Sequence, residues 1–212
     1  MVDLVNWSMG TLAGAAWLLS ACNGMASNGA AVQPSRGEVA IAASPVGASA
    51  VMRTADAIMA GQAAEESSDA AAMRAAARTL ESLGARPDGD QAVSLSRGWN
   101  EKASLIDPSV SPPVYRGRAL GPSYKKGLVS ATSRVSIAQI FLAGKKASVA
   151  LVPVSEKPVS IEVSDGEGKK ICSRHTSSRP ANCEWLPLFT ERYQINIRTS
   201  ESRPVPYYLV SN

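Results

Sequence analysis

The sequence predicts a mainly β chain, with an antiparallel, jelly-roll-like β-sandwich at the C-terminus preceded by a short helical segment and flexible linkers. Three observations predict it. Beyond residue 113 the apolar positions recur with period two. Both Phe and all five Tyr of the 212 residues lie there, and Cys172 and Cys183 fall in neighbouring β-like segments. A strand with one buried face requires this alternation, because successive side chains point to opposite sides of a sheet.

Composition separates the two halves. Residues 1–113 are dominated by Ala, Gly and Ser, which bury little apolar area each. A core large enough to offset chain entropy is therefore expected only in the second half. The net charge of +4 divides into −4 over residues 1–113 and +8 over residues 114–212. A basic domain attracts polyanions, although lysines also serve as solvated surface.

The first element, residues 1–22, reads as a signal peptide. Leu12 to Cys22 is an apolar run of eleven residues. That is shorter than the roughly 20 residues a spanning helix needs, and it suits the core of a signal peptide. Its end, Leu19-Ser20-Ala21-Cys22, is similar to the lipobox of bacterial lipoproteins. The resemblance implies that Cys22 carries a lipid, which would tether the protein to a membrane. Met1 to Ser8 contains no Lys or Arg and holds Asp3, which departs from the usual start of a signal peptide. A short buried helix and plain secretion with cleavage near Ala26 remain open beside lipidation.

Residues 23–49, rich in Ala, Gly, Ser and Pro without apolar periodicity, read as a flexible tether. Residues 50–84 have helical composition, divided by Gly61 and by Ser67-Ser68-Asp69, the latter able to cap a second helix. Met73, Ala76, Leu80 and Leu83 form one narrow apolar stripe, which packs on its own domain or on a partner. Gly84 and Pro87 supply a stop signal. Residues 85–113 return to linker character, and Asp88-Gly89-Asp90 within them is too brief for a calcium loop.

Residues 114–212 carry the strands. Val159, Ile161 and Val163 alternate with polar residues, as do Tyr193, Ile195 and Ile197. Val135 to Leu142 and Ala147 to Val154 are more continuously apolar and are expected to be central strands. Ala143-Gly144-Lys145 and Asp165-Gly166-Glu167-Gly168 mark turns, and Tyr207 to Val210 a closing strand. Six or more short strands in about 100 residues indicate a sandwich or barrel.

Cys172 and Cys183, eleven apart, are expected to form a disulfide in an oxidising compartment. A metal site shared with His175 would have three ligands where structural zinc takes four. His175, the single histidine, is expected in the short polar loop between the two cysteines, flanked by Arg174 and Thr176, and lacks the local signature of a catalytic base. The chain contains no nucleophile elbow, metalloprotease, P-loop or dinucleotide motif. No catalytic residue, metal ligand or cofactor is therefore assigned. Lys125-Lys126, Lys145-Lys146 and Lys169-Lys170 are basic doublets expected at strand ends or turns. Gathered at one end of the sandwich they would bind an anionic polymer; dispersed, they protect edges and aid solubility.

Asp165 to Gly168, Ile171-Cys172, Cys183-Glu184-Trp185-Leu186-Pro187, Tyr193 to Ile197 and the terminal Tyr208 to Asn212 together resemble the bacterial pre-peptidase C-terminal domain, over roughly residues 114–212. That resemblance implies a sandwich that accompanies secreted hydrolases or stands alone in envelope proteins. Asp165 and Glu167 stand isolated among lysines, unlike the calcium-binding relatives, so no metal site is carried over.

The sequence thus leads to a non-catalytic cell-envelope lipoprotein or secreted protein with a β-sandwich binding module, anchored to the membrane through Cys22. An accessory or inhibitory partner of a secreted hydrolase such as a peptidase, and a binder of anionic envelope polysaccharide, are the alternatives. Nucleic acid is disfavoured by the expected compartment.

Overall fold

Helices, a five-stranded sheet and a four-stranded sheet stack in that order. The structure, a computed structural model, describes residues 48–89, 93–109, 121–131, 133–176 and 178–212, all within the compact unit Val39–Asn212. The signal peptide expected over residues 1–22, with Cys22, and all but the last two residues of the tether expected over residues 23–49 lie outside the described residues.

The helices follow their caps. Ser49 accepts a hydrogen bond from the Met52 amide at 3.3 Å and opens α1, Ala50–Glu66. Asp69 accepts from the Ala72 amide at 2.9 Å and opens α2, Ala70–Ser82. Each side chain satisfies an amide that the first helical turn leaves unpaired. The break therefore falls at Ser67-Ser68-Asp69 as the sequence indicates, whereas Gly61 does not break α1. Its role is tertiary: a Cβ there would stand 2.2 Å from Cη2 of Trp99, so the glycine makes room for an indole.

Trp99 belongs to a third helix, α3, Leu95–Ile106, inside the region expected to be a linker. Trp99 is buried, as is Ala103 one turn on. Arg74 of α2, itself buried, donates to the carbonyls of Ala103 and Asp107 and pairs with Asp107 Oδ2 at 3.4 Å. The Asp107 carbonyl is one that the end of α3 leaves open, whereas the Ala103 carbonyl accepts from the Asp107 amide as well.

In the five-stranded sheet the order is β1 (Arg86–Pro87), β2 (Ser123–Val129), β9 (Val205–Ser211), β4 (Ala147–Pro153), β7 (Ala181–Trp185). In the other it is β3 (Val135–Phe141), β8 (Glu191–Thr199), β5 (Val159–Ser164), β6 (Lys170–Thr176). Apart from the parallel pair β1–β2, neighbours run antiparallel.

Two cores result. Val149, Leu151, Ile161, Val163, Ile195, Ile197 and Leu209 fill the space between the sheets. Ala150, Val152, Tyr208 and Val210, on the opposite face of β4 and β9, meet Val51, Ile58, Met73, Leu80 and Trp99 of the helices. The apolar core thus extends into the first half of the chain, contrary to the composition argument. Small alanines let the helices lie close to the sheet, so many modest contacts replace a few large ones. The apolar stripe of α2 packs on its own domain.

This second core explains β4, whose seven residues are all buried because both faces are covered. The similar run in β3 is instead an edge strand: Ser136, Ala138 and Ile140 are exposed on one face while Phe141 enters the core. Cys172 and Cys183 form the expected disulfide, with Cα atoms 5.9 Å apart. They belong to different sheets, so the bond closes one lateral edge of the sandwich by joining β6 to β7.

Candidate functional site

Three loops meet at one end of the sandwich: residues 142–146 between β3 and β4, 165–169 between β5 and β6, and 186–190 between β7 and β8. Hydrogen bonds hold two of them together. The Gly144 amide donates to the Pro187 carbonyl at 2.9 Å, and the Ala143 amide to Thr190 Oγ1 at 3.0 Å. The third is braced internally. Asp165 Oδ1 accepts from the amides of Glu167 and Lys169, and Gly168 takes the positive φ that closes the turn. Beneath the loops, Phe141, Trp185 and Tyr193 form a trio with ring centroids 4.9 to 5.8 Å apart, geometry that aromatic quadrupoles favour.

Beyond this floor the loops present apolar side chains to water. Leu188 is 80% exposed and Phe189 72%, with Leu142 and Leu186 beside them. Six of the ten large hydrophobics exposed among the described residues lie at or next to this end, Ile140 and Ile171 being the other two. Such clustering marks an interaction surface where scattered apolar residues would not. A shallow groove of about 540 Å³, lined by Ile140, Gly166, Thr190, Glu191, Arg192 and Gln194, runs beside the loops.

The basic doublets divide. Lys145, Lys146, Lys169 and Lys170 reach this end, whereas Lys125 and Lys126 lie within β2 and line a cleft on the helical side. The expectation that all three doublets sit at strand ends or turns thus fails for the first. Nor is the loop end strongly basic. Lys146 Nζ lies 2.5 Å from Glu184 Oε2, and Lys170 Nζ 3.0 Å from Glu162 Oε2. Counting Arg192, five cations stand among five carboxylates, those of Glu162, Asp165, Glu167, Glu184 and Glu191. His175 is exposed on edge strand β6, opposite Ser160, and not in the loop where it was expected, because the ladder to β5 continues as far as Thr176.

Electrostatics here is local. The Lys146 ammonium beside Glu184 holds its carboxyl well below the ordinary 4.5, at about 2, against a smaller opposing effect of desolvation. A carboxyl depressed by folding contributes stability above its unfolded value and loses it as pH falls through the folded one. Glu184→Gln is therefore expected to flatten the fall in stability between pH 4.5 and about 2, read from urea midpoints at several pH values. An unchanged acid limb would assign that fall to other carboxylates.

Sequence reasoning missed Leu142, Leu186, Leu188 and Phe189. One signal was present: Leu186-Pro187-Leu188-Phe189 is continuously apolar, yet Pro187 removes a ladder donor and places the run outside a strand.

Among the described residues no group of His, Cys, Asp and Glu side chains is arranged to hold a metal ion. Nor is any helix there long and apolar enough to cross a membrane. No protein-family model matches the chain, and no curated protein matches it. Solved structures similar to it include PliG of Aeromonas hydrophila, a periplasmic inhibitor of g-type lysozyme. It is 15% identical, with 47% of this chain and 92% of that one covered and a TM-score of 0.36. The Yersinia pseudotuberculosis-derived mitogen is 13% identical over 43% of this chain and 85% of that one, at a TM-score of 0.37. The carbohydrate-binding module CBM36, solved with calcium and xylotriose, is 15% identical over 40% and 78%, at 0.28.

Proposed function

We propose that the chain is a non-catalytic binding module of an exported, envelope-associated protein, and that it engages a partner protein through the loop end of the sandwich. The observation that carries this reading is the projection of Leu142, Leu186, Leu188 and Phe189 from loops fixed to one another by hydrogen bonds. Apolar groups presented in a fixed arrangement lose little entropy on docking, and such anchors dominate interface energetics. Export is supported by the Cys172–Cys183 bond, which persists in oxidising compartments. A lipid on Cys22 would then keep the module at the membrane. An inhibitory or accessory role toward a secreted hydrolase falls within this reading, since a convex apolar loop suits a concave partner site.

The charge balance favours a protein over an anionic polymer. Polyanion binding rests on a large excess of positive charge, and here cations and carboxylates are matched. The test is Leu188→Asp combined with Phe189→Asp, both exposed and neither a member of a core. Retention on the envelope protein fraction is expected to fall at least about tenfold with the thermal midpoint unchanged, as for loss of interface anchors. Undiminished retention would sink the reading. Equal retention on protein-free vesicles would move the partner from protein to lipid.

A further inference from the structure

Between α3 and the outer face of the five-stranded sheet lies a half-open cleft of about 570 Å³, lined by none of the loop-end residues. Small-molecule sites run from about 300 to 1,000 Å³, so the volume fits a compact organic ligand. Pro87, Val93 and Leu95 give it apolar walls, and the edges of Trp99, Tyr124 and Tyr208 form its floor. The floor is fixed, because the Leu95 amide donates to Tyr124 Oη at 2.9 Å and the Trp99 indole N–H to Glu65 Oε2 at 3.0 Å.

The charged groups sort by how well they are already satisfied. Glu65 has a partner on each oxygen, Lys102 on Oε1 and the indole on Oε2, and these contacts, with a weaker attraction from Lys126, hold its carboxyl below the ordinary range. Lys125 meets Asp88 only loosely, at 3.8 Å, with both side chains more than half exposed. Lys126 has no ion-pair partner among the described residues. Its ammonium stands 5.9 Å from the ring centroid of Tyr208, at the junction of the polar rim and the aromatic floor. Among the described lining residues, Lys102, Lys125 and Lys126 against Glu65 and Asp88 leave one positive charge over.

We propose that this cleft is a binding site for a small amphipathic monoanion, whose carboxylate, sulfonate or phosphoryl oxygen meets Lys126 while its apolar part lies against Leu95, Pro87 and the edge of Trp99. One unpaired ammonium beside an apolar wall selects for a single anionic group on an apolar body. Neutral apolar molecules leave the ammonium unanswered, and strongly charged ones meet Glu65 and Asp88. The site is independent of the docking surface on the loops, and either can fail without the other.

Anilinonaphthalene sulfonate, a planar apolar monoanion, is the probe, titrated by fluorescence into the full-length folded protein. A single saturable site is expected. Lys126→Gln should weaken binding about tenfold, the scale of one charge-assisted hydrogen bond, while Lys126→Arg retains it. Neutral N-phenylnaphthylamine should bind more weakly and be insensitive to Lys126→Gln. The double change Leu188→Ser, Phe189→Ser should leave the sulfonate titration unchanged. The proposal is overturned if the dye does not bind, if Lys126→Gln binds it as well as the parent chain, or if the loop variant abolishes the signal.

Discussion

Trp99→Ala is expected to destabilise the domain by about 3–5 kcal/mol, the range for deleting a large aromatic from a packed core. Trp99 is 2% exposed and joins α3 to α1 and to the outer face of the sheet. The indole occupies the volume that a side chain at Gly61 would need. This arrangement makes a sign-reversal test. In the parent chain, Gly61→Ala places a methyl 2.2 to 2.4 Å from indole carbons, and overpacking of this kind typically costs about 1–3 kcal/mol. In the Trp99→Ala background the same substitution meets a cavity and gains the helix propensity of alanine over glycine, about 1 kcal/mol. Urea unfolding of the two single variants and the double variant measures the cycle. If Gly61→Ala is equally destabilising in both backgrounds, the glycine serves some purpose other than admitting Trp99.

That pair also shows where the sequence was legible. The alternations Val159-Ile161-Val163 and Tyr193-Ile195-Ile197 reported buried strand faces correctly, because period two records a local geometry. The break between α1 and α2 was legible for the same reason, since a cap acts within one turn. Gly61 was misread because its helix propensity is local, whereas the reason for a glycine there is an indole 38 positions away. Helix α3 escaped because it offers only two fully buried apolar residues, Trp99 and Ala103, and contains Gly98. Strand β3 was misplaced because Ile137, Ile140 and Phe141 look alike in composition, while only the sheet order shows that its outer side faces solvent.

The candidate surface was harder still to read. A leucine at position 188 has the same identity in a core or on a loop tip, and exposure is a property of the assembled fold. The lysine doublets were visible at once, but their meaning depended on acids elsewhere. Glu184 and Glu162 answer Lys146 and Lys170, while Lys126 is left beside a ring. Charge runs reveal candidates, and packing decides which of them retains free charge.

Removing the disulfide by Cys172→Ser with Cys183→Ser is expected to lower stability by about 2–3 kcal/mol, the scale for closing a short loop in the unfolded chain. The loss should not be spread evenly. In β6 only Thr176 is buried and Cys172 partly so, and the remaining five residues are exposed. Few apolar contacts therefore hold this edge strand, which depends on its ladder to β5 and on the covalent bond to β7. Strand β4, buried on both faces, needs no such support. Hydrogen exchange should accordingly show Lys170–Thr176 opening well below the global unfolding free energy in the variant, with Val149–Val152 tracking the global value. The consequence reaches the binding surface, because β6 and β7 carry one end of the loops at residues 165–169 and 186–190. Partner retention should then fall in the double serine variant even at temperatures where the rest of the sandwich stays folded. A uniform loss of protection across β4 and β6, or full retention by the variant, would show that the bond does not organise the loop end.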